Sequence, residues 1–517
     1  MKALPRLVVL LGLGLSLASG AGARDRWIHA RTEHFEMFSS VSEGESRDLL
    51  ASLEQFRSTV LSICTLPRLR DPRTTVFVFA SDHQFEPYKP LYNGRPKDAA
   101  GYCAGWSDET AIALAADNPF SVTGEIIYHE YVHLLFSAGD DHPPLWLNEG
   151  LAELFSTFAI QKDSVELGRQ KPDHVDTLHL HHLMPLGSLF AVTIQSPSYN
   201  EGIRQNIFYA ESWVFVHFLV CGANRATYLP ELRRFKELLA APNRAIDESF
   251  REAFGMSYEG MEAHLNDYLR SGHYFIQHAK LPLGDLARQI KFQPADDFER
   301  ETALLNLRWR VRQEGSTTYQ LLQLAESHPR SPRPQELLAA VAMMGGDSEG
   351  ALIHWRRAAD LGSDNAYIYW RLARDNLDQV MNGLSLDYRM PAELAARLRG
   401  WLDRAVALSP NYLDAYEALG YVEALAERPR VEVVNRVQAV LPRMKDNTRT
   451  LLAIAIIRWR MQDYVTARQI AIYLTASPGI PADVCRRAQR LSARIPEATE
   501  PPAAPKPGAS AEPATAR

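Results

Sequence analysis

Cysteine is scarce in this chain of 517 residues: only Cys64, Cys103, Cys221 and Cys485. Four thiols spread so widely make no disulfide framework, and free buried thiols are the expected state for most of them. No C-x-x-C pair occurs, so a thiolate zinc site is not suggested. Excess positive charge is missing too. Lys and Arg number 56 against 62 Asp and Glu, a formal net charge of -6. No basic surface is expected, and nucleic acid is not expected as a partner. Long hydrophobic runs are nearly absent. The exception is Leu7 to Leu17, too short to span a bilayer comfortably. Lys2 and Arg6 precede it and Ala21-Gly22-Ala23 follows it, so residues 1–23 read as a secretory signal. The expectation is an exported protein, periplasmic or secreted, with no stable membrane span after cleavage.

What is present divides the chain. Its length exceeds what one core usually fills, so several domains are expected. Residues 24–117 read as α/β. Thr74-Thr75-Val76-Phe77-Val78-Phe79 is β-branched and aromatic, a good buried strand. Residues 101–116 read as two strands around a Ser107-Asp108-Glu109 turn. Residues 118–283 read as mainly helical. A first helix ends near Gly139, Pro143-Pro144 stops it continuing, and a second starts near Leu145. Residues 284–330 are expected to be a helical connector.

From 331 to 490 the large-small pairs Leu338-Ala339, Leu372-Ala373, Leu419-Gly420 and Ile454-Ala455 recur after 34, 47 and 35 residues. A period of 34 residues is that of the tetratricopeptide repeat, a helix-turn-helix unit. Tyr369 and Tyr416 precede their pairs by three residues, Ala351 and Ala358 suit a second helix, and Pro410 falls where a repeat ends. The long step implies an insertion around 380–391. Residues 491–517 are Pro- and Ala-rich and are expected to be a disordered tail. The fold class expected is an α+β catalytic domain followed by an all-α helical-repeat solenoid able to hold a protein partner.

The chemistry sits in Ile126-Ile127-Tyr128-His129-Glu130-Tyr131-Val132-His133-Leu134-Leu135-Phe136. His129 and His133 are one helical turn apart on one face and can converge on one ion. Glu130 beside them can reach a water on that ion. At this composition such a spacing arises by chance about 0.06 times per chain, so the motif needs its context. Leu145-Trp146-Leu147-Asn148-Glu149-Gly150-Leu151-Ala152-Glu153-Leu154-Phe155 supplies it. Two histidines are two of the three protein ligands a catalytic zinc needs, and Glu149 is a natural third. Glu153, one turn further on, can take the free ring N–H of a ligand histidine and fix its tautomer. A His/Glu network without an ion would bury its ionisable groups at high cost. The cluster His174, His179, His181 and His182 could place His179 and His181 on one side of a strand, but a solvated loop or cleft edge is the simpler reading, because no third-ligand spacing supports a site. Asp140-Asp141-His142 reads as loop chemistry, and His217 as a satisfied buried histidine.

The stretches HEYVH and WLNEGLAE resemble the gluzincin metallopeptidases, the thermolysin-like clan. The order of motifs over about Trp27 to Tyr274, with an export signal and a repeat tail, is similar to bacterial peptidase MA-like proteins. The resemblance implies a zincin fold, one Zn2+ per chain on His129, His133 and Glu149, and Glu130 as general base. It extends to Phe208-Tyr209-Ala210-Glu211-Ser212-Trp213, and implies that Tyr209 stabilises the oxyanion. In the aminopeptidase branch an edge strand before the zinc helix carries a glutamate that grips the substrate's amino terminus. The comparable stretch here, Gly101-Tyr102-Cys103-Ala104-Gly105, has no acidic residue. It could still bind a peptide backbone by adding a strand. A zinc endopeptidase acting on a peptide or protein substrate is therefore expected. The alternative is a non-catalytic zinc-binding scaffold for the repeats, for which the intact Glu130 would have no use.

Overall fold

The computed structural model describes residues 26–496, apart from 65–72, 93, 98, 107, 118–119, 139–142, 162–163, 240–243, 280–285, 313–314, 382–385, 445 and 478. The expected signal segment lies outside the described residues. The N-terminal part is built on a six-stranded sheet. Its strands are β1 (Ile28–Arg31), β2 (Phe35–Ser39), β3 (Arg73–Phe79), β4 (Gly101–Gly105), β5 (Glu109–Ala115) and β6 (Gln293–Pro294). The order across the sheet is β6-β1-β2-β3-β5-β4. The β2, β3 and β5 strands run parallel, while β4 returns antiparallel to β5 and forms the edge. Central parallel strands are covered on both faces, which is why Val76 to Phe79 is apolar without a break. Alternation still sorts the side chains. Met37, Val76, Val78, Ile112 and Leu114 enter the main core, and Phe38, Phe77, Phe79, Ala111 and Ala113 enter a second core on the opposite face.

The main core is closed by α1 (Glu43–Ile63) and α2 (Phe120–Ala138). A capping box starts α1: the Ser42 hydroxyl accepts from the Glu45 N–H, and the Glu45 carboxylate accepts from the Ser42 N–H. The chain then forms α3 (Leu145–Ser156), α4 (Pro172–Leu180), the single-turn α5 (Pro197–Asn200) and the long α6 (Gly202–Cys221). Nearly all of α6 from Phe208 to Cys221 is buried, so it is apolar all round. Among the described residues no single helix is long and apolar enough to cross a membrane.

Residues 284–330 differ from a plain connector. They supply β6, which pairs with β1, and α7 (Asp297–Arg312), whose Ala303 and Leu307 close the second core against Trp27, Phe77 and Phe79. The cause is the unprotected second face of the parallel strands, which needs a cover. Charge fixes the helix in place. Arg310, stacked over Trp106, pairs with Asp108 at 2.6 Å and Glu109 at 2.8 Å, and Arg333 pairs with Glu109 at 2.9 Å. Both arginines thus hold the turn between β4 and β5.

The rest is a long run of helices. Leu338, Leu372, Leu419 and Ile454 lie on the helices Arg333–Met344, Ala366–Met381, Leu413–Leu425 and Thr448–Arg460. All four are buried, and each helix is followed by a partner that packs on it. Ala351 and Ala358 are fully buried on the partner helix Ser348–Asp360. The long step corresponds to the connection from Met381 to the helix Ala392–Leu408, where Met390 bridges to Ala426. The first residues of the expected tail are part of the helical core. Leu491 and Ile495 are buried in the last helical core, because the helix Ala482–Ser492 needs both to complete its apolar face. Residues 497–517 lie outside the described residues. The chain is a mixed α/β sheet domain followed by helices throughout.

Candidate metal centre

Helix α2 turns Ile127, Tyr128, Tyr131, Val132, Leu135 and Phe136 into the core. That leaves His129, Glu130 and His133 half-buried on the opposite stripe. Helix α3 brings Glu149, buried, onto the same spot. The His129 and His133 Nε2 atoms are 3.2 Å apart, and Glu149 Oε2 is 3.5 and 3.4 Å from them. For bonds of about 2.0–2.1 Å to a tetrahedral zinc, ligand atoms should be about 3.3 Å apart. The donor triangle fits that ion. Glu149 Oε2 supports the fit, since it is buried and accepts no hydrogen bond. Among the described residues this trio forms a set of His and acidic groups able to hold a metal ion.

Burial alone would raise the Glu149 carboxyl, but His129 and His133 beside it hold it down, to about 2. Burial would lower His133, and Glu149 beside it reverses the shift and raises it. Glu153 stands behind His129, with Oε1 at 3.5 Å from Nδ1, so that ring presents Nε2 to the donor triangle and Nδ1 to a carboxylate. Glu153 is itself paired with Lys171 and with His174 at 3.1 Å. Burial would raise it, but His174 and Lys171 hold it down at about 2.

Glu130 is outside the triangle. Its charge acts on His133, Cys103 on β4 and Tyr199. Tyr209, on α6, has its ring 6.3 Å from that of His129. Burial, with the Glu149 charge, pushes its hydroxyl far above the ordinary range, so it stays a proton donor at neutral pH. No protein-family model matches this sequence, and no curated protein matches it.

The edge strand lies directly against α2. Gly101 and Gly105 face the helix: a Cβ on them would stand 3.2 Å from Ile127 Cδ1 and 2.8 Å from Leu134 Cδ2. Cys103, between them, donates to the Ile127 carbonyl at 3.7 Å. Tyr102 points to the other face and donates to the Tyr88 carbonyl at 2.7 Å. The glycines let the strand approach α2 closely, and among the described residues the outer edge of β4 pairs with no strand. Gly150 has a similar role on α3. A Cβ there would collide with the Ser212 carbonyl and Val216, so only glycine lets α3 pack on α6 and hold Glu149 in place.

The histidine cluster is split by a helix rather than carried on a strand. Val175 and Leu178 anchor α4, His174 turns inward to Glu153, and His179, His181 and His182 are exposed. His217 is fully buried and satisfied, by the Gly168 carbonyl at 2.9 Å and the Tyr268 hydroxyl at 2.9 Å. The Asp140-Asp141-His142 turn lies outside the described residues. Sequence reasoning missed Lys171 and Tyr199. The Tyr199 hydroxyl donates to Glu149 Oε1 at 3.1 Å, and its ring stacks on Tyr209 with centroids 6.0 Å apart. No local pattern marks a lone tyrosine on the single turn of α5.

Proposed function

We propose that this chain is an exported zinc-dependent endopeptidase of gluzincin type, with a zincin-like domain and tetratricopeptide-like hairpins that hold a protein partner. The observation that carries the reading is the donor triangle of His129, His133 and Glu149, with Glu130 adjacent on the same helix. These three residues would hold Zn2+. When bound, it would supply Lewis acidity to a water and to the scissile carbonyl. Glu130 accepts the proton of the attacking water and returns it to the leaving amine. The Tyr209 hydroxyl donates to the developing oxyanion. The open edge of β4 takes the substrate as an added strand, which suits cleavage within a chain, since Gly101 to Gly105 offers no carboxylate to an amino terminus.

Tyr209→Phe tests the oxyanion assignment. The variant should bind zinc as the parent does and lose about 10²–10³ in kcat on a peptide substrate, with KM little changed, because the hydroxyl acts only as charge develops. An unchanged kcat would make Tyr209 a packing residue.

A further inference from the structure

Glu149 has two carboxylate oxygens and only one faces the donor triangle. A carboxylate free to rotate about its last bond would present either oxygen, or both, and would hold an ion less well. The structure shows what prevents this. Oε2 faces His129 and His133 and accepts no hydrogen bond, while Oε1 accepts from the Tyr199 hydroxyl at 3.1 Å. We propose that Tyr199 is a positioning residue that fixes Glu149 as a one-oxygen ligand. This rests on the reading of the site as a metal centre.

The tyrosine is well placed for the task because it is itself held. Its ring stacks on Tyr209 at 19° and meets Phe208 edge-on, with centroids 5.9 Å apart. The turn that carries it is tied by the Asn200 amide, which donates to the Ile194 and Ser196 carbonyls at 2.8 and 3.0 Å. The Ser196 hydroxyl accepts from the Thr193 N–H at 2.9 Å. Two tyrosines therefore share the work: Tyr199 orients the ligand, and Tyr209 waits for the oxyanion. Tyr199 reaches the site from the single-turn α5, between α4 and α6, so ligand orientation depends on where that turn is held.

Zinc affinity separates the two roles without any substrate. It is measured by competition with a chromophoric chelator for the full chain, Tyr199→Phe and Tyr209→Phe. Phenylalanine keeps the ring and its stacking, and circular dichroism checks the fold. Tyr199→Phe should bind zinc 10–100-fold more weakly, the usual cost of losing such a partner. Tyr209→Phe should bind within about twofold of the parent. At saturating zinc, Tyr199→Phe should regain most of the parental kcat. Parental affinity in Tyr199→Phe would overturn the positioning role. So would a loss of kcat that saturating zinc does not restore, which would make Tyr199 catalytic. A parent chain that binds no zinc would overturn the metal reading, and this inference with it.

Discussion

Glu130→Gln is expected to abolish peptide hydrolysis while leaving zinc content and fold intact. Glutamine has almost the same shape and hydrogen-bonds in the same place, but it takes no proton at neutral pH. Glu130 contributes no atom to the donor triangle, which is complete with His129, His133 and Glu149. Its removal therefore costs chemistry and not metal. General acid–base catalysis typically contributes about 10²–10⁴ in rate, and here the same group serves in both proton transfers, so the loss should lie at or above the upper end. Metal analysis and a fluorogenic peptide assay on the same preparation read both quantities. Loss of zinc would make Glu130 a ligand, and retained hydrolysis would remove it from the mechanism.

A second large effect is expected outside the metal centre. Glu109→Ala should destabilise the protein by about 3 kcal/mol, because it removes the carboxylate that two arginines share and leaves each of them a single partner, Asp108 for Arg310 and Glu336 for Arg333. The side chains of Arg310 and Glu109 are only 3% and 5% exposed. Asn306 and Arg333 also bond to the same carboxylate. Burial would raise Glu109, but Arg310 and Arg333 hold it down to about 2. The sign of the pH dependence follows. A carboxyl with a lowered folded pKa contributes its stability above the unfolded value near 4.5, and that contribution fades as pH falls toward 2. Urea titration of parent and variant at neutral pH measures the difference, which should shrink in acid. A change below about 1 kcal/mol at neutral pH would mean that water already reaches the network.

Much of the architecture was legible in the sequence, where one strong local signal sufficed. The β3 strand announced itself by its branched and aromatic run, and the β4–β5 hairpin by its polar turn. The large-small pairs fell on the first helices of successive hairpins because stacked helices need a small residue at each close contact. The three donors were legible because helical spacing alone aligns His129 with His133, and because the next apolar helix, after a short turn, carries a carboxylate able to reach them. Other features depended on the tertiary structure. The β6 strand is two residues long, Gln293 and Pro294, and has no strand signature. Helix α7 divides its apolar residues between two cores, Ala303 and Leu307 against the sheet and Leu305 against the helices that follow, so no single apolar stripe marks it. A chain cut near residue 283 would therefore lose the cover of the second core, not merely a tether. Tyr199 and Lys171 reach the centre only because α3, α4 and α6 converge, and nothing in their own neighbourhoods marks them.

The central claim is that His129, His133 and Glu149 form a zinc site. Metal analysis of the purified protein and of the His129→Ala/His133→Ala variant tests it most directly. The expected result is about one zinc per chain in the parent, and loss of that zinc in the variant, with helical content retained. A parent without zinc, or a double variant that keeps its zinc, would contradict it.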